Sequence, residues 1–446
     1  MAAGSSRPSR AGGSQPPHSP NPGGNLGAGA RRAGCSVLFL AGEYPPRPGG
    51  VGDYTALLAA HLADQGVRVA VLASTVPASV TQHAARSTRP SVTVWRAVAR
   101  WDWRCARTVL DAVRAARPDV VHVQYQPAAF GMEAAVHWLP GWLRRRCPGL
   151  RTITTFHDLR VPYLFPKAGG LRAVVRDRLL RGSDAVIFTE RADWAAAAHA
   201  RTRGRYWVPI GSNLAPVPPA DYDRARWRAA VGADPATFLI AHLGILNRSK
   251  GLETLFAAVL RLRAQGRRVR LLLIGAEAGA SDPSNRVYAA EIDRQLSDPA
   301  LARLVQRLPL VPAAAASGYL LAADAAAFPF VDGASLRRGS LLAALAHGVP
   351  TVSTGAGGQR AGGVGSPPDG SRPLACAQPH LRDGETLLLV PPGDAAALAA
   401  GLARLADDAA LRTRLAAGGR ALVDTLSWPR IAAAHRAIYA AALGRS

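Results

Sequence analysis

The stretch Phe238-Leu-Ile-Ala-His-Leu243-Gly244-Ile-Leu-Asn-Arg248-Ser-Lys250-Gly251-Leu252 decides how the chain is read. An apolar run of strand length breaks at a glycine, two cations follow two positions apart, and apolar residues then recur at helical spacing. That is a buried strand, a loop and a helix start, the repeating unit of an open parallel α/β sheet. Such sheets bind ligands outside the carboxyl ends of their strands. The lysine carries information of its own. Every basic residue except Lys167 and Lys250 is arginine, so a lysine at this turn points to a use for a compact ammonium. Gly244, Arg248 and Lys250 are therefore candidates for holding an anionic ligand.

Working outward, the same alternation recurs on both sides. Strand-like runs are expected at 37–41, 67–73, 120–123, 152–156, 185–188 and 206–208, then at 238–243, 269–274, 325–330, 350–353 and 386–390, with helix-like stretches between most of them. Interleaved strands and helices imply largely parallel sheets covered on both faces. The expected fold is α/β, with two Rossmann-like doubly wound domains facing across a cleft, at 35–215 and 216–426, joined by the Pro-rich stretch 208–219. A closing helix is expected over 427–446, with Ser427 as its cap, Pro429 in its first turn, and Ile431, Ala434, His435, Ile438 and Tyr439 on one face. Residues 1–34, almost entirely Gly, Ser, Pro, Ala, Arg and Asn, read as a disordered tail, and 355–379 reads as a flexible excursion.

With 446 residues, 48% of them hydrophobic, the chain can bury two cores. Apolar stretches break well before the roughly 20 residues a membrane span needs, and the first residues lack a signal-peptide core, so a cytoplasmic protein is expected. Cys35, Cys105, Cys147 and Cys376 are widely spaced without a CxxC pair, which suggests neither a zinc site nor a disulfide framework. The formal charge of +24 favours polyanionic partners, among them anionic headgroups at the inner face of the cell membrane. Nucleic acid is not suggested, since no recognition helix or RNA-binding motif stands out.

Three further clusters carry chemistry. Gly49-Gly50-Val51-Gly52-Asp53-Tyr54 lies between a strand and a helix, where glycine lets backbone N–H groups approach a phosphate at a helix N-terminus. His157 and Asp158 follow a strand of the first half and are expected to orient a hydroxyl in the crevice. His122 and His242 lie within strand runs and are assigned to the core or crevice wall. Asp332-Gly-Ala-Ser335-Leu-Arg337-Arg338-Gly339-Ser340 is a doubly basic loop entering a helix, suited to a diphosphate. Asp221-Tyr-Asp223 has the look of a metal-binding DxD but opens a helix, so capping explains it better.

In this order the clusters resemble the GT-B retaining glycosyltransferases of family 4, the glycogen-synthase-like and mannosyltransferase-like group. Val208-Pro-Ile-Gly-Ser-Asn213, Ala346-His-Gly-Val-Pro-Thr-Val352, Asp383-Gly-Glu-Thr386 and Leu389-Val-Pro-Pro-Gly-Asp394 are similar to that family's later signatures. The resemblance implies transfer of a sugar from a nucleotide-diphosphate donor to a saccharide or lipid-linked acceptor, with no metal or other cofactor. It implies that Lys250 neutralises the leaving diphosphate and that Gly50, Val51 and Gly52 close on it from the first domain. Glu43, Tyr125, Gln126 and Tyr163 then become acceptor-side contacts. Two departures stand out. Ile245 occupies the place of the family's arginine after Gly244, and Ser335 and Ala343 occupy the places of its two glutamates; Arg248, Arg337 and Arg338 are candidate substitutes. Two alternatives stay open, a GT-B nucleotide-sugar epimerase or hydrolase and, raised by the lost glutamates, a non-catalytic nucleotide-sugar scaffold.

Overall fold

The computed structural model describes residues 34–47, 49–76, 91–159, 171–199, 202, 204–275, 284–355 and 379–445. The expected tail, Tyr163 and nearly all of the 355–379 excursion lie outside these residues. Seven strands build a first sheet: β1 (Ser36–Ala41), β2 (Arg68–Ser74), β3 (Val92–Val98), β4 (Val120–Tyr125), β5 (Arg151–Phe156), β6 (Ala185–Phe188) and β7 (Arg205–Trp207). Six build a second: β8 (Phe238–Leu243), β9 (Val269–Ile274), β10 (Val305–Arg307), β11 (Ala325–Phe328), β12 (Thr351–Thr354) and β13 (Leu388–Val390). The orders are β3-β2-β1-β4-β5-β6-β7 and β10-β9-β8-β11-β12-β13. Among the described residues all pairings are parallel.

The central strands explain themselves. In β1 and β4 every residue is buried, which is what helices on both faces of a parallel sheet require of Val- and Leu-rich runs. Strand order reverses between β1 and β4 and again between β8 and β11. Those two switch points put a crevice at the carboxyl ends of each sheet, and each cluster singled out by sequence follows one strand or another there.

Two strands escaped the sequence reading. Strand β3 carries Thr93 and Arg96 and is only half buried along its middle, and β10 has three residues, none fully buried. Both are edge strands, so neither shows the apolar run that marks the centre. Strand β13 starts two residues late because 382–386 is spent on a turn in which Thr386 N donates to Arg382 O.

Asp223 caps the helix Arg224–Ala230, its Oδ1 accepting from Arg226 N at 2.7 Å. The closing helix is Trp428–Leu443, with Pro429 in its first turn; Ser427 stands at the cap position without a capping side-chain bond. It returns to the first sheet, burying Ile431, Ala432, His435, Ile438 and Tyr439. Tyr439 Oη lies 2.8 Å from His122 Nδ1 in β4, and Tyr54 Oη of the helix Gly50–Asp64 lies 3.4 Å from His435 Nε2. Among the described residues no helix is long and apolar enough to cross a membrane.

Candidate active site

The half of the site on the second sheet is built at the β8/β11 switch point. Gly244 ends β8 with φ 134°, a left-handed value that favours glycine, and a Cβ there would come within 3.1 Å of Lys250 Nζ. Lys250 closes a single 3₁₀ turn, Arg248–Lys250. That turn is knitted to the segment after β11, since Val331 N donates to Ser249 O at 3.1 Å. The lysine is 8% exposed, and its Nζ donates to Ser340 Oγ at 2.9 Å and sits 5.2 Å from the centre of the Phe330 ring. Ser340 is the second residue of the helix Gly339–Ala346. Arg338 lies over the same Phe330 ring at 4.5 Å, pairs with Asp332 and donates to Ser249 Oγ at 3.3 Å.

An ammonium, a guanidinium and a helix N-terminus thus meet around Phe330 and Ser340, and all three favour negative charge. Burial pushes the Lys250 amine down to about 7, the Arg338 charge pushes the same way, and Asp332 pulls it back. A bound anion would relieve that penalty and restore the full cation.

Arg248 does not join this cluster. Its guanidinium turns to the far side of the 3₁₀ turn, where it meets Glu291 Oε2 at 2.7 Å and covers the Tyr288 ring at 5.3 Å. Ile245, at the place of the missing arginine, is 44% exposed and has no cation beside it from Arg248. Arg337 also leaves the cluster. It reaches toward the first half of the molecule, 4.0 Å from Asp193 Oδ2. Beside that contact Ser335 approaches Glu190, whose carboxyl is raised by burial and held back by Arg337 and Ser335. Among the described residues Glu190 Oε2 and Ser335 Oγ are both buried without a hydrogen bond of normal geometry.

The other half stands on the first sheet. Glu43 follows β1 and is 5% exposed; its carboxylate packs so closely on Gly49 that any Cβ there would overlap Oε2. The helix Gly50–Asp64 starts at Gly50, with Val51 and Gly52 buried behind it. Asn213 Nδ2 of the linker donates to Gly50 O at 3.3 Å, and Trp428 Nε1 of the closing helix donates to Ser212 O at 2.7 Å. The glycine turn is thereby tied to both chain crossings.

His157, just beyond β5, is 9% exposed, with its Nε2 2.8 Å from Gln124 Oε1 and the Tyr54 ring edge-on at 4.7 Å. Burial pushes its pKa down to about 3, helped by His435, so at neutral pH it is an uncharged ring that positions rather than donates charge. The Gln124 amide nitrogen reaches His122 Nε2 at 3.4 Å, which links His157 through His122 to Tyr439 of the closing helix. Sequence reading missed Gln124. Its signal is a polar pair, His122 and Gln124, at strand spacing in an otherwise valine-rich strand. Asp158 is half-buried and raises the phenol of Tyr125, after burial.

One expected acceptor contact is corrected. Tyr125 is fully buried, its Oη 2.7 Å from His137 Nε2 and its ring packed among Phe130 and Phe156. No acceptor reaches it. The structure places Glu43 against the glycine turn. Gln126 is half-buried at the end of β4, where its carbonyl accepts from Phe130 N at 3.4 Å.

Two family models tile this architecture. Residues 49–235 match the model described as "Glycosyl transferase 4-like domain", and residues 237–408 match "Glycosyl transferases group 1". The first begins at the glycine turn and the second spans the Lys250 cluster. The chain is a glycosyltransferase of the GT-B fold. This glycosyltransferase is 28% identical over 425 residues to the D-inositol 3-phosphate glycosyltransferase of Pseudarthrobacter chlorophenolicus, covering 89% of its own length and 91% of that relative. It superposes on sucrose-phosphate synthase from Thermosynechococcus elongatus with a TM-score of 0.65 at 21% identity, covering 91% of this chain and 98% of that one. Alr3699/HepE of Anabaena, solved in complex with UDP and glucose, gives 0.67 at 17% identity over 91% and 100% of the two chains. At these identities the structural likeness is one of fold.

Proposed function

We propose that the chain transfers a sugar, with retention of anomeric configuration in the manner of family 4, from a nucleotide-diphosphate donor held at the Lys250 cluster. The observation that carries this reading is the buried ammonium 2.9 Å from Ser340 at the start of the helix Gly339–Ala346, with Arg338 beside it. Breaking the anomeric bond to a diphosphate develops negative charge on the leaving oxygen. Cations and N–H groups already fixed there stabilise that charge more than they stabilise the ground state. Glycosidases work with two carboxylates across the scissile bond; a same-face attack assisted by the leaving phosphate has no use for a nucleophilic carboxylate. His157, neutral and fixed by Gln124, orients a hydroxyl, and the Gly50–Gly52 turn closes on the diphosphate from the opposite side. In this reading Lys250, Arg338 and the helix N-terminus neutralise the diphosphate without a metal. The acceptor is a saccharide or lipid-linked hydroxyl.

The test is a donor screen with individual nucleotide sugars, UDP-glucose first because it is a ligand of a fold neighbour, each with inositol phosphate or membrane extract as acceptor. Released nucleotide is quantified and the anomeric configuration of the product is read by NMR. The expected outcome is release that depends on acceptor, survives a chelator, and falls about a hundredfold or more in Lys250→Ala. Acceptor-dependent release that is equal in the variant would remove Lys250 from the reaction, and an inverted product would remove the retaining mechanism.

A further inference from the structure

Trp103, 62% exposed, precedes the helix Cys105–Ala116. Its ring meets that of Trp138 edge-on at 5.2 Å. Trp138 heads the helix Leu139–Arg146, and Trp142 lies one turn further along the same face, its N–H donating to Trp138 O. Arginines flank the row: Arg178 stands 5.8 Å from the Trp138 ring and Arg146 5.8 Å from the Trp142 ring. Arg178 belongs to the adjacent helix Leu171–Gly182, where Val174, one turn earlier, is 61% exposed.

Charge on this face is one-sided. The helices Leu139–Arg146 and Leu171–Gly182 carry seven arginines and one acid in their sequences. That acid, Asp177, is engaged by Arg176 at 2.8 Å and by Arg181 at 3.9 Å. Arg144, Arg145 and Arg146 are all exposed. The nearby Asp102 accepts from Arg104 N at 2.9 Å. Tryptophan beside arginine on exposed helix flanks suits the boundary between headgroup and acyl chain, where an amphipathic ring and a phosphate-binding cation are satisfied together. Single-stranded nucleic acid needs open aromatic faces for its bases, and here guanidinium groups and neighbouring rings already crowd Trp138 and Trp142.

In a parallel α/β layer each helix starts at the carboxyl rim of the sheet. Trp103 and Trp138 stand at such starts, on the rim that also carries His157 and the Gly50–Gly52 turn, while Arg144–Arg146 lie at the opposite end. We propose that this face docks the enzyme peripherally on an anionic lipid surface, with the tryptophans entering the headgroup layer and the arginines binding lipid phosphate.

The experiment is co-sedimentation with phosphatidylcholine vesicles prepared with and without phosphatidylglycerol. A net charge of +24 attracts any anionic surface, so the control removes exposed arginines elsewhere: Arg261→Ala with Arg263→Ala, on the helix Leu252–Ala264 of the second half. Removing Arg144, Arg145 and Arg146 together by alanine should lower partitioning about a hundredfold, well beyond the control. Trp103→Ala should reduce the quenching of tryptophan fluorescence by brominated lipid. All of these side chains are exposed, and an unchanged thermal midpoint certifies the fold of each variant. The proposal fails if the triple variant loses no more than the control, if wild type ignores phosphatidylglycerol, or if single-stranded RNA depends on the same arginines while vesicles do not. None of these readouts needs turnover, so they stand or fall separately from the transfer reaction.

Discussion

Lys250 is the residue on which the proposed chemistry turns, and its environment makes it titrate where enzymes work. Burial and Arg338 bring its pKa to about 7 in the free protein, and an anionic donor must raise it again. The diphosphate of a nucleotide sugar is fully ionised across this range, so the pH dependence belongs to the lysine. Donor affinity should be level below pH 7 and weaken above it, by up to about tenfold per pH unit until the bound-state pKa is passed; isothermal titration of a nucleotide sugar between pH 6 and 9 measures it. Flat affinity across that range would mean the ammonium stays charged without a ligand. Lys250→Arg should not rescue activity, because a planar guanidinium does not fit between the Gly244 backbone and Ser340. Sequence alone singled out this lysine because the chain hardly uses lysine at all. It misjudged Arg248 because two residues apart in a 3₁₀ turn point to different sides, a fact of turn geometry that residue type does not reveal.

At the scale of elements, the telling feature is how β4 serves β5. Gln124 accepts from His157 Nε2, which fixes the Nε2–H form of the ring and leaves Nδ1 as its acceptor. Gln124→Met should leave that buried donor unpaired, costing about 1–3 kcal/mol in a urea melt, and should move the His157 ring nitrogens in a ¹⁵N spectrum; an unmoved spectrum would show that Tyr54 packing alone sets the ring. The loop that enters the helix Gly339–Ala346 divides its labour similarly. Arg338 stays with Lys250, whereas Arg337 and Ser335 meet Asp193 and Glu190 across the crevice. Arg337→Ala should therefore change the closure of the two halves, read by small-angle scattering, more than it changes affinity for nucleoside diphosphate. The central strands were legible because burial on both faces writes them as unbroken apolar runs. Strands β3 and β10 were not, because an edge strand shares its surface with water and pairs through its backbone, which sequence does not display.

Buried, uncharged histidines recur in both halves of the molecule. His157 and His242 are pushed down to about 3 and His137 and His435 to about 4, each chiefly by burial. Below their unfolded value of about 6.5 the unfolded chain takes up protons that the folded chain refuses, so stability falls as pH drops through 6.5 and continues to fall until the folded values are reached. Each ring contributes up to about 1.4 kcal/mol per pH unit. Urea midpoints should be level from pH 8 to 7 and drop steeply between 6.5 and 5, and midpoints that hold to pH 5 would show that these rings take up protons without the fold opening. The order of strands and helices, and hence the doubly wound architecture, was readable from alternation alone. Contacts between the halves were not, because Glu190 with Ser335 and Tyr439 with His122 join positions more than a hundred residues apart, and no local pattern marks such partners.

The return of the closing helix to the first sheet has a consequence for synthesis. His122 of that sheet and Tyr54 of the helix that covers it are met by Tyr439 and His435, from a helix made about two hundred residues after the last strand of the sheet. A ribosome adding roughly 5–20 residues per second leaves this surface without its native partner for tens of seconds after the last strand of the sheet has emerged. The first half of the enzyme cannot mature until residues 428–443 have emerged, and a chain cut short before Trp428 should enter the hands of chaperones and proteases rather than accumulate as a half-molecule.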